Sequence, residues 1–580
     1  MSLPTQSVFP GRLEAAYRRE LERLIRETAI AKIWRKDPSL WTSDAGHAQV
    51  ITNRLGWVSV LDEMRAQVPR LTEFARDVER AGLRDILLLG MGGSSLAPEV
   101  FALTFPRPPD SGRFHLLDST DPGAVLAAER AVVLRRTLLI VASKSGKTVE
   151  TLSQYFYFHR RLYLNRVSPQ GPSFIAITDE GSHLARLATE NDFRETFLNP
   201  ADIGGRYSAL SYFGLVPAAL CGVDLVPVLD SAIQTREACA PSVPAETNIA
   251  LQLGAFMGAA AKEGSDKLFL VATPALVPLG NWIEQLVAES TGKEGKGVVP
   301  VAGPGIPPRE VLAEGSAVAA LRLEGDDSAA LDAALEQLKS RGVPVVEIHL
   351  PDRAALGGEF FKWEVATAAA GAVLGIDPFD EPNVQESKDN TARLLENFQT
   401  SGEMPAGKSL LSESGIEVYA DDASRKKLSM PPLSELFGAF FSERRPGDYL
   451  GLLAYLERDD ASARQLELLR TRLAEHLCLP VLLGYGPRYM HSIGQLYKGG
   501  PASGMFLMIT AAHAADIPIP GAEYTFGQLE MAQALGDMQS LARRGKPALR
   551  VHLTRGAATG LVELRRTIEH TLAAMRGATN

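Results

Sequence analysis

The sequence has few cysteines, no long apolar run and no surplus of positive charge. Its three cysteines, Cys221, Cys239 and Cys478, are too widely spaced for a disulfide framework or a Cys-x-x-Cys metal site, which indicates a reducing cytoplasm. No apolar stretch reaches the ~18–20 residues that span a bilayer, and charged residues occupy the first thirty positions where a signal peptide has its apolar core. The formal net charge of −9 argues against a broad nucleic-acid-binding surface. These absences favour a cytoplasmic enzyme or small-molecule binder with neither nucleic acid nor membrane as a partner.

The composition is that of a globular protein with enough apolar residues for large cores. Of the 580 residues, 45% are hydrophobic and 22% are charged, and the length allows several packed units. Residues 11–35 have the periodicity of a charged amphipathic helix. From residue 85 onward, short apolar runs alternate with helical stretches, which predicts an α/β fold with parallel sheets. The predicted strands are 85–90, 114–118, 137–143 and 173–178, followed by 267–273, 298–302, 317–323 and 343–350.

Two consecutive strand–helix series predict two doubly wound parallel-sheet domains. The predicted units are an N-terminal helical appendage at 1–45, a first domain at 46–235, and a second domain at 236–580 with an insertion near 391–475. Within the insertion, the polar stretch 401–415 is typical of a surface loop. The candidates for extending the second sheet are the later apolar runs 477–485, 505–510 and 549–554.

Two loops that end neighbouring strands have residues suited to binding an anion. The first, residues 90–95 (GMGGSS), brings glycines to a strand-to-helix turn, where backbone N–H groups can approach a phosphate closely. The loop is a near-match to the dinucleotide-binding fingerprint, which needs glycine where Ser95 stands. A dinucleotide site remains an open alternative because Asp118, at the end of the next strand, could bind the ribose. The second loop contains Gly-Lys-Thr at 146–148, but a P-loop also needs glycine in place of Val141.

The hydroxyls of the second loop form a predicted phosphate site. Ser143, Ser145 and Thr148 surround the start of a helix, where unpaired N–H groups and the helix dipole favour a monoester phosphate. The alternative is a well-capped helix without a ligand, which single Ser/Thr clusters commonly indicate. Two such loops on neighbouring strands favour the phosphate site.

Further segments resemble the phosphoglucose isomerase family. Together with the two loops, they are IGGRYS at 203–208, ESTGK at 289–293, PFDEPNVQESK at 378–388 and HSIGQ at 491–495. These segments are similar to the glycine–arginine, catalytic-glutamate, catalytic-lysine and histidine segments of that family, and they extend over most of the chain. The resemblance implies two sugar-isomerase (SIS-type) αβα sandwich domains with extra helices.

The order of the segments departs from that of ordinary family members. The histidine segment usually lies between the glutamate and lysine segments, whereas here His491 follows Lys388. This order resembles the isomerase part of bifunctional transaldolase–phosphoglucose isomerase fusions, so we expect this chain to correspond to that part. A second departure is Glu381, where the family usually has glutamine. A carboxylate at this position near the substrate would repel the substrate phosphate.

The resemblance implies interconversion of glucose 6-phosphate and fructose 6-phosphate through a cis-enediolate, without metal or organic cofactor. It implies that Glu289 moves the proton between the two carbons, and its position near a helix C-terminus favours the raised pKa of a base. Arg206 would stabilise the enediolate, His491 would open the ring, and Lys388 would assist ring opening or hold the substrate. The implied phosphate-binding residues are Gly92, Gly93, Ser94, Ser143, Lys144, Ser145 and Thr148.

Three alternatives remain open from the sequence. The same residues would serve an isomerase for another phosphosugar, such as mannose 6-phosphate or an aminosugar phosphate. A non-catalytic sugar-phosphate sensor would bind the ligand without turnover, whereas a DNA-binding sensor would need a helix-turn-helix module and a basic face, neither of which is evident. In the family the protein is a homodimer and the histidine comes from the neighbouring subunit; the displaced segment leaves open whether His491 acts within its own chain.

Overall fold

Three β-sheets with helices packed around them form the protein in a computed structural model. The structure describes residues 3–107, 113–164, 173–303, 305–308, 310–312, 315–402, 404, 407–421, 425 and 432–577. None of the helices within these ranges combines the length and the apolar character that a membrane span requires.

The N-terminal segment forms a strand and two helices. Strand β1 (Thr5–Phe9) is followed by helices Glu14–Arg26 and Ala29–Trp34, so the predicted amphipathic helix is confirmed with a break between its two parts. The break lies at Thr28, which adopts a left-handed conformation with φ of 52°. The first helix packs against the helix Ile249–Lys262, and β1 pairs antiparallel with residues 345–349.

The first sheet contains the two predicted anion-binding loops. Its strands are β2 (Asp85–Gly90), β3 (Arg113–Leu117), β4 (Thr137–Ala142), β5 (Phe174–Asp179) and β6 (Glu195–Asn199), all parallel in the order β3-β2-β4-β5-β6. Strands β2 and β4 are buried along their whole length because apolar side chains fill both faces. Their carboxyl ends lie side by side, so the loops that follow them meet at one edge of the sheet.

The second sheet follows the second predicted strand series. Its further strands are β7 (Lys267–Ala272), β8 (Val299–Ala302), β9 (Ser316–Leu323) and β10 (Val345–Leu350), in the order β1-β10-β9-β7-β8. All pairs are parallel except β1 with β10. The predicted α/β class with parallel sheets is confirmed by these two sheets.

The late apolar runs form a third sheet and do not extend the second one. Its strands are β11 (Leu411–Glu413), β12 (Ile416–Ala420), β13 (Tyr449–Tyr455), β14 (Val481–Tyr485), β15 (Gly504–Ala511) and β16 (Ala548–Leu553), in the order β11-β12-β16-β15-β13-β14. Strand β13 lies inside the region predicted as an insertion, and its leucine-rich sequence YLGLLAY suits a helix as well as a strand. Pairing with β14 and β15 on its two sides makes it a strand. Of the predicted surface loop 401–415, residues 403, 405 and 406 lie outside the described residues.

Helices connect the three sheets through shared cores. One cluster of buried side chains includes Phe269 and Val318 of the second sheet together with Leu453 and Met508 of the third. Another joins the first sheet to the helix Phe526–Arg543. The remaining helices are Ala45–Thr52, Val60–Arg80, Leu96–Thr104, Pro122–Ala131, Val149–Leu164, His183–Glu190, Tyr212–Leu220, Leu225–Ala238, Val277–Thr291, Ala329–Ser340, Leu356–Leu374, Val384–Ser401, Leu433–Ser442, Asp460–Leu477, Gly494–Gly499 and Ala557–Gly577.

Candidate active site

The loop after β4 holds the hydroxyl groups that the sequence predicts for a phosphate site. The Ser143 and Thr148 hydroxyls lie 2.9 Å apart, and the Ser143 hydroxyl accepts a hydrogen bond of 3.1 Å from the Gly146 N–H. Gly146 has φ of +66°, and a Cβ atom there would lie 2.3 Å from the Leu184 nitrogen, so both backbone and packing require glycine. Ser145 and Thr148 face a cavity of about 680 Å³. The loop therefore presents hydroxyls at the start of helix Val149–Leu164, where the helix dipole favours an anion.

The same cavity brings together predicted site residues from distant parts of the chain. Its lining includes Ser145 and Thr148 of the β4 loop, Lys388 of helix Val384–Ser401, and His491. Among the described lining residues, neither Glu289 nor Arg206 is present. The volume is large enough for a small phosphorylated ligand, and the described lining combines lysine, histidine, hydroxyl and carboxylate side chains.

The first loop packs against two of the catalytic segments. A Cβ atom on Gly92, whose φ is +54°, would lie 2.5 Å from the His491 carbonyl oxygen. A Cβ atom on Gly93 would lie 2.0 Å from the carbonyl oxygen of Gly205, next to Arg206. The two glycines therefore permit the close approach of the arginine and histidine segments, while their contact with phosphate stays a prediction.

Three other residues named from these loops lie away from the cavity lining that the structure describes. Ser94 and Ser143 are buried, and the Lys144 ammonium donates to Asp179 at 2.5 Å and to the Ala201 carbonyl at 2.8 Å. The Lys144 side chain is thus held by another partner, and its backbone alone belongs to the phosphate turn. Asp118, which a dinucleotide site would require for ribose, is paired with an arginine after β14.

His491 is held by a chain of buried polar groups within the same polypeptide. Its Nε2 atom lies 2.9 Å from the Glu150 Oε1 atom. Gln533 donates to the same Glu150 oxygen at 2.7 Å and accepts from the Thr120 hydroxyl at 2.6 Å. Burial opposes ionisation of Glu150, but the attraction of His491 and Lys388 outweighs it and holds the pKa of Glu150 below its ordinary value. A charged carboxylate that orients an imidazole at a cavity is suited to acid–base chemistry.

Arg206 is buried and contacts several parts of the protein at once. Its Nε donates to the Ser290 hydroxyl at 2.9 Å, and its Nη2 donates to the carbonyl oxygens of Pro378 at 2.8 Å and Asp380 at 3.0 Å. Its Nη1 lies 3.4 Å from the Glu289 Oε1 atom. A fully charged guanidinium is therefore fixed beside the predicted base by hydrogen bonds to several other groups.

Glu289 lies near the end of helix Val277–Thr291 and is connected to the histidine segment. The Gln285 amide, one turn earlier, donates to Glu289 Oε2 at 3.2 Å and to the His491 carbonyl at 2.8 Å. Burial raises the pKa of Glu289, with a further contribution from Glu381, although Arg206 opposes the change. A carboxyl group with a raised pKa has the basicity that proton abstraction near neutral pH requires.

Glu381 contacts Arg206 rather than the phosphate loop. Its Oε2 atom accepts a hydrogen bond of 3.1 Å from Arg206 Nη1, the same nitrogen that faces Glu289. Burial opposes ionisation, but the guanidinium lowers the pKa of Glu381 below its ordinary value. Glu381, which departs from the family pattern, therefore shares the Arg206 guanidinium with Glu289. Its described contact is with Arg206 and not with the predicted phosphate loop.

Two further residues join the segments to one another. The Lys293 ammonium donates to the carbonyl oxygens of Asp377 and Asp380, each at 2.5 Å. Gln495 accepts from the Asn383 N–H at 2.9 Å, which links the histidine segment to the lysine segment. The two loops and the four segments are thus one connected structure, as a single site requires.

Four residues that the sequence did not single out support the predicted ones, two by direct contact and two through Glu150. Glu150 stands two residues after Thr148 of the second loop, and Gln285 stands four residues before Glu289 on the same helix face, so both had a local signal. Gln533 and Thr120 belong to no motif. Only the packing of helix Phe526–Arg543 on the first sheet brings Gln533 to both Glu150 and Thr120.

Part of the sequence is similar to known phosphoglucose isomerases. A family model for phosphoglucose isomerase matches residues 55–299. The glucose-6-phosphate isomerase of Rubrobacter xylanophilus is 28% identical over 376 residues, covering 57% of this chain and 86% of the relative. A glucose-6-phosphate isomerase of Thermus thermophilus is 29% identical over 393 residues, covering 59% and 90%.

Solved structures show a related fold. The crystal structure of a hypothetical protein from Thermus thermophilus superposes with a TM-score of 0.53 at 25% identity, over 67% of this chain and 99% of that one. A glucose-6-phosphate isomerase from Chlamydia trachomatis gives 0.51 at 20% identity, over 58% and 74%. The predicted pair of sugar-isomerase-type α/β domains is confirmed by this likeness. The chain is therefore similar in sequence to phosphoglucose isomerases, by the family model over residues 55–299, and similar in fold to a solved glucose-6-phosphate isomerase.

Proposed function

We propose that this chain interconverts glucose 6-phosphate and fructose 6-phosphate by ring opening and proton transfer between neighbouring carbons. The observation that carries the proposal is the shared cavity of the phosphate turn, Lys388 and His491, with Glu289 connected to His491 through Gln285. The relatives named glucose-6-phosphate isomerase support the same reaction.

The substrate phosphate would bind at the start of helix Val149–Leu164. Ser145 and Thr148 supply hydroxyl donors, and the unpaired N–H groups and dipole of the helix supply positive potential. Lys388 lies across the same cavity and would contact the phosphate or a sugar hydroxyl.

Ring opening would be the task of His491. The Glu150 carboxylate lies 2.9 Å from His491 Nε2 and holds the ring in place. The other ring nitrogen, Nδ1, would then exchange a proton with the sugar oxygens. This arrangement is complete within one chain. It supports catalysis without a histidine from a second copy.

Proton transfer would be the task of Glu289. Its raised pKa makes it a stronger base than an exposed glutamate. The negative charge that develops on the enediolate oxygen would be stabilised by Arg206, whose guanidinium is already fixed next to Glu289. The substrate oxygen would then compete with Glu381 for the guanidinium Nη1.

The test is a coupled assay that follows glucose 6-phosphate formed from fructose 6-phosphate. We expect Glu289→Gln to lower kcat by about 10²–10⁴-fold, the range for loss of a general base, while calorimetry still detects fructose 6-phosphate binding. The matched control is Glu294→Gln, which makes the same change at an exposed side chain five residues later.

The outcomes separate the alternatives. Full activity in Glu289→Gln would overturn the assigned base. A folded native chain that binds fructose 6-phosphate without turnover would be a sugar-phosphate sensor. Faster turnover of mannose 6-phosphate or an aminosugar phosphate would change the substrate and keep the mechanism.

The finer parts of the sequence interpretation stay predictions. These are a homodimer, a cytoplasmic location, the correspondence to the isomerase part of a transaldolase fusion and the domain boundaries at residues 45 and 235. Sedimentation of the purified chain tests the first, and the neighbouring coding sequence tests the third.

A further inference from the structure

A second cluster of chemically active side chains lies on the far side of Gln533 from the catalytic histidine. Asp121 follows β3, His513 follows β15, and Glu530 lies on helix Phe526–Arg543. One ligand-type atom from each residue can be chosen so that all three lie within 4.8 Å of one another. Nδ1 of His513 lies 3.6 Å from Asp121, and its Nε2 lies 3.1 Å from Glu530.

The cluster holds more negative charge than its protein partners balance. Asp121 is 4% exposed and Glu530 is 3% exposed, yet in the described part of the chain neither carboxylate has an ion pair with a lysine or arginine. The Glu530 Oε1 atom is buried and has no hydrogen-bond partner among the described groups. A buried carboxylate oxygen left without a donor is costly, so the site calls for a cation or a proton.

The pKa shifts of the three side chains are consistent with this excess of negative charge. Burial, opposed by His513 but reinforced by Asp121 and Asp516, raises the pKa of Glu530 to about 7. Burial also raises the pKa of Asp121, with a contribution from Asp459. The pKa of His513 is raised because its contacts with Glu530, Asp121 and Asp516 outweigh its burial.

We propose that Asp121, His513 and Glu530 bind a divalent first-row transition metal, with Zn²⁺ or Mn²⁺ as the ion. One imidazole nitrogen with two carboxylate oxygens is a donor set for these ions, whereas Mg²⁺ and Ca²⁺ prefer oxygen alone. Metal–ligand bonds of about 2.0–2.2 Å place neighbouring ligand atoms about 3–4.4 Å apart. The three ligand atoms of the cluster lie within 4.8 Å of one another, so small side-chain rotations would bring them to this spacing.

The metal would position the active site without entering the isomerisation. Asp121 adjoins Thr120, whose hydroxyl donates to Gln533, and Gln533 donates to the Glu150 carboxylate. Glu530 lies one helical turn before Gln533 on the same helix. A metal joining Asp121 to Glu530 would therefore fix Thr120 and Gln533, the two members of the hydrogen-bonded chain that stand furthest from His491.

The experiment measures metal binding directly, without sugar phosphate. The untagged full chain is treated with a chelator, dialysed, and titrated with ZnCl₂ and, separately, MnCl₂ by calorimetry, with bound metal counted by mass spectrometry. We expect one equivalent of metal with a micromolar or lower Kd, at least tenfold weaker binding in Glu530→Gln, and a thermal midpoint that rises with metal in the native chain but not in Glu530→Gln. The matched control is Glu324→Gln, because Glu324 also contacts a histidine, His349, at 2.8 Å but is exposed.

A second variant distinguishes the loss of a metal ligand from misfolding. His513→Asn keeps a polar side chain and should also lose the metal while its circular dichroism stays native. Failure of the native chain to bind either metal, or equal binding by native chain, Glu530→Gln and His513→Asn, would overturn the proposal. A thermal midpoint that changes with pH but not with metal would show a proton-sharing cluster and overturn it as well. None of these readouts depends on isomerase activity.

Discussion

Replacing Glu381 by glutamine should shift the pH dependence of the reaction toward acid. Glu381 and Glu289 face the same guanidinium nitrogen of Arg206, at 3.1 and 3.4 Å. The negative charge of Glu381 raises the pKa of Glu289. The substitution Glu381→Gln keeps the side-chain shape and removes that charge, so Glu289 would lose its proton at a lower pH.

The distances set the size of the effect. Because both carboxylate oxygens approach one nitrogen, they are no more than about 6.5 Å apart. Glu381 is 45% exposed, so we use an effective dielectric constant of about 40, between the protein-surface value of about 20 and that of water. The repulsion is then about 1.3 kcal/mol, which corresponds to about one pKa unit.

The assay is the pH profile of kcat/KM for fructose 6-phosphate, whose acid limb reports the base in the free enzyme. We expect the midpoint of that limb to fall by about one unit in Glu381→Gln. The control is Glu396→Gln, which removes the same charge from the rim of the cavity without a contact to Arg206. An acid limb that stays in place, rises, or falls equally in both variants would refute the electrostatic coupling.

Three further predictions concern the residues around the cavity. In chemical denaturation, Gly92→Ala should destabilise the fold by about 1–2 kcal/mol because its backbone is left-handed, and by about 1–3 kcal/mol more because the new methyl group clashes with His491. The control is Gly82→Ala, because Gly82 has φ of +73° and open space around it, so this variant should show only the backbone cost. Glu150→Gln should lower kcat by about 10²-fold because the His491 ring loses its charged partner, and an unchanged kcat would contradict that role. Ser145→Ala should raise KM about 10- to 100-fold through loss of a hydrogen bond to a charged phosphate; a KM equal to the native value would show that the phosphate binds elsewhere.

Part of the fold was predictable because local sequence patterns reflect local structure. The buried strands at 85–90 and 137–142 have apolar residues on both faces and end at turns that need glycine or hydroxyl side chains. The strand Tyr449–Tyr455 was not predicted, since leucine favours a helix almost as readily as a buried strand. Its neighbours β14 and β15 arrive later in the chain, and their pairing decides its conformation.

The α/β class and the glycine- and hydroxyl-rich turns after β2 and β4 follow from the amino-acid sequence, whereas the candidate catalytic residues were indicated by its resemblance to phosphoglucose isomerases. The strands and turns depend on neighbours along the chain, so spacing and composition are enough to predict them. The meeting of His491 with Glu150, 341 positions away in the same chain, could be found only in three dimensions. The same holds for the sharing of Arg206 by Glu289 and Glu381, because contacts between distant residues depend on how the sheets and helices pack and no local pattern records that packing.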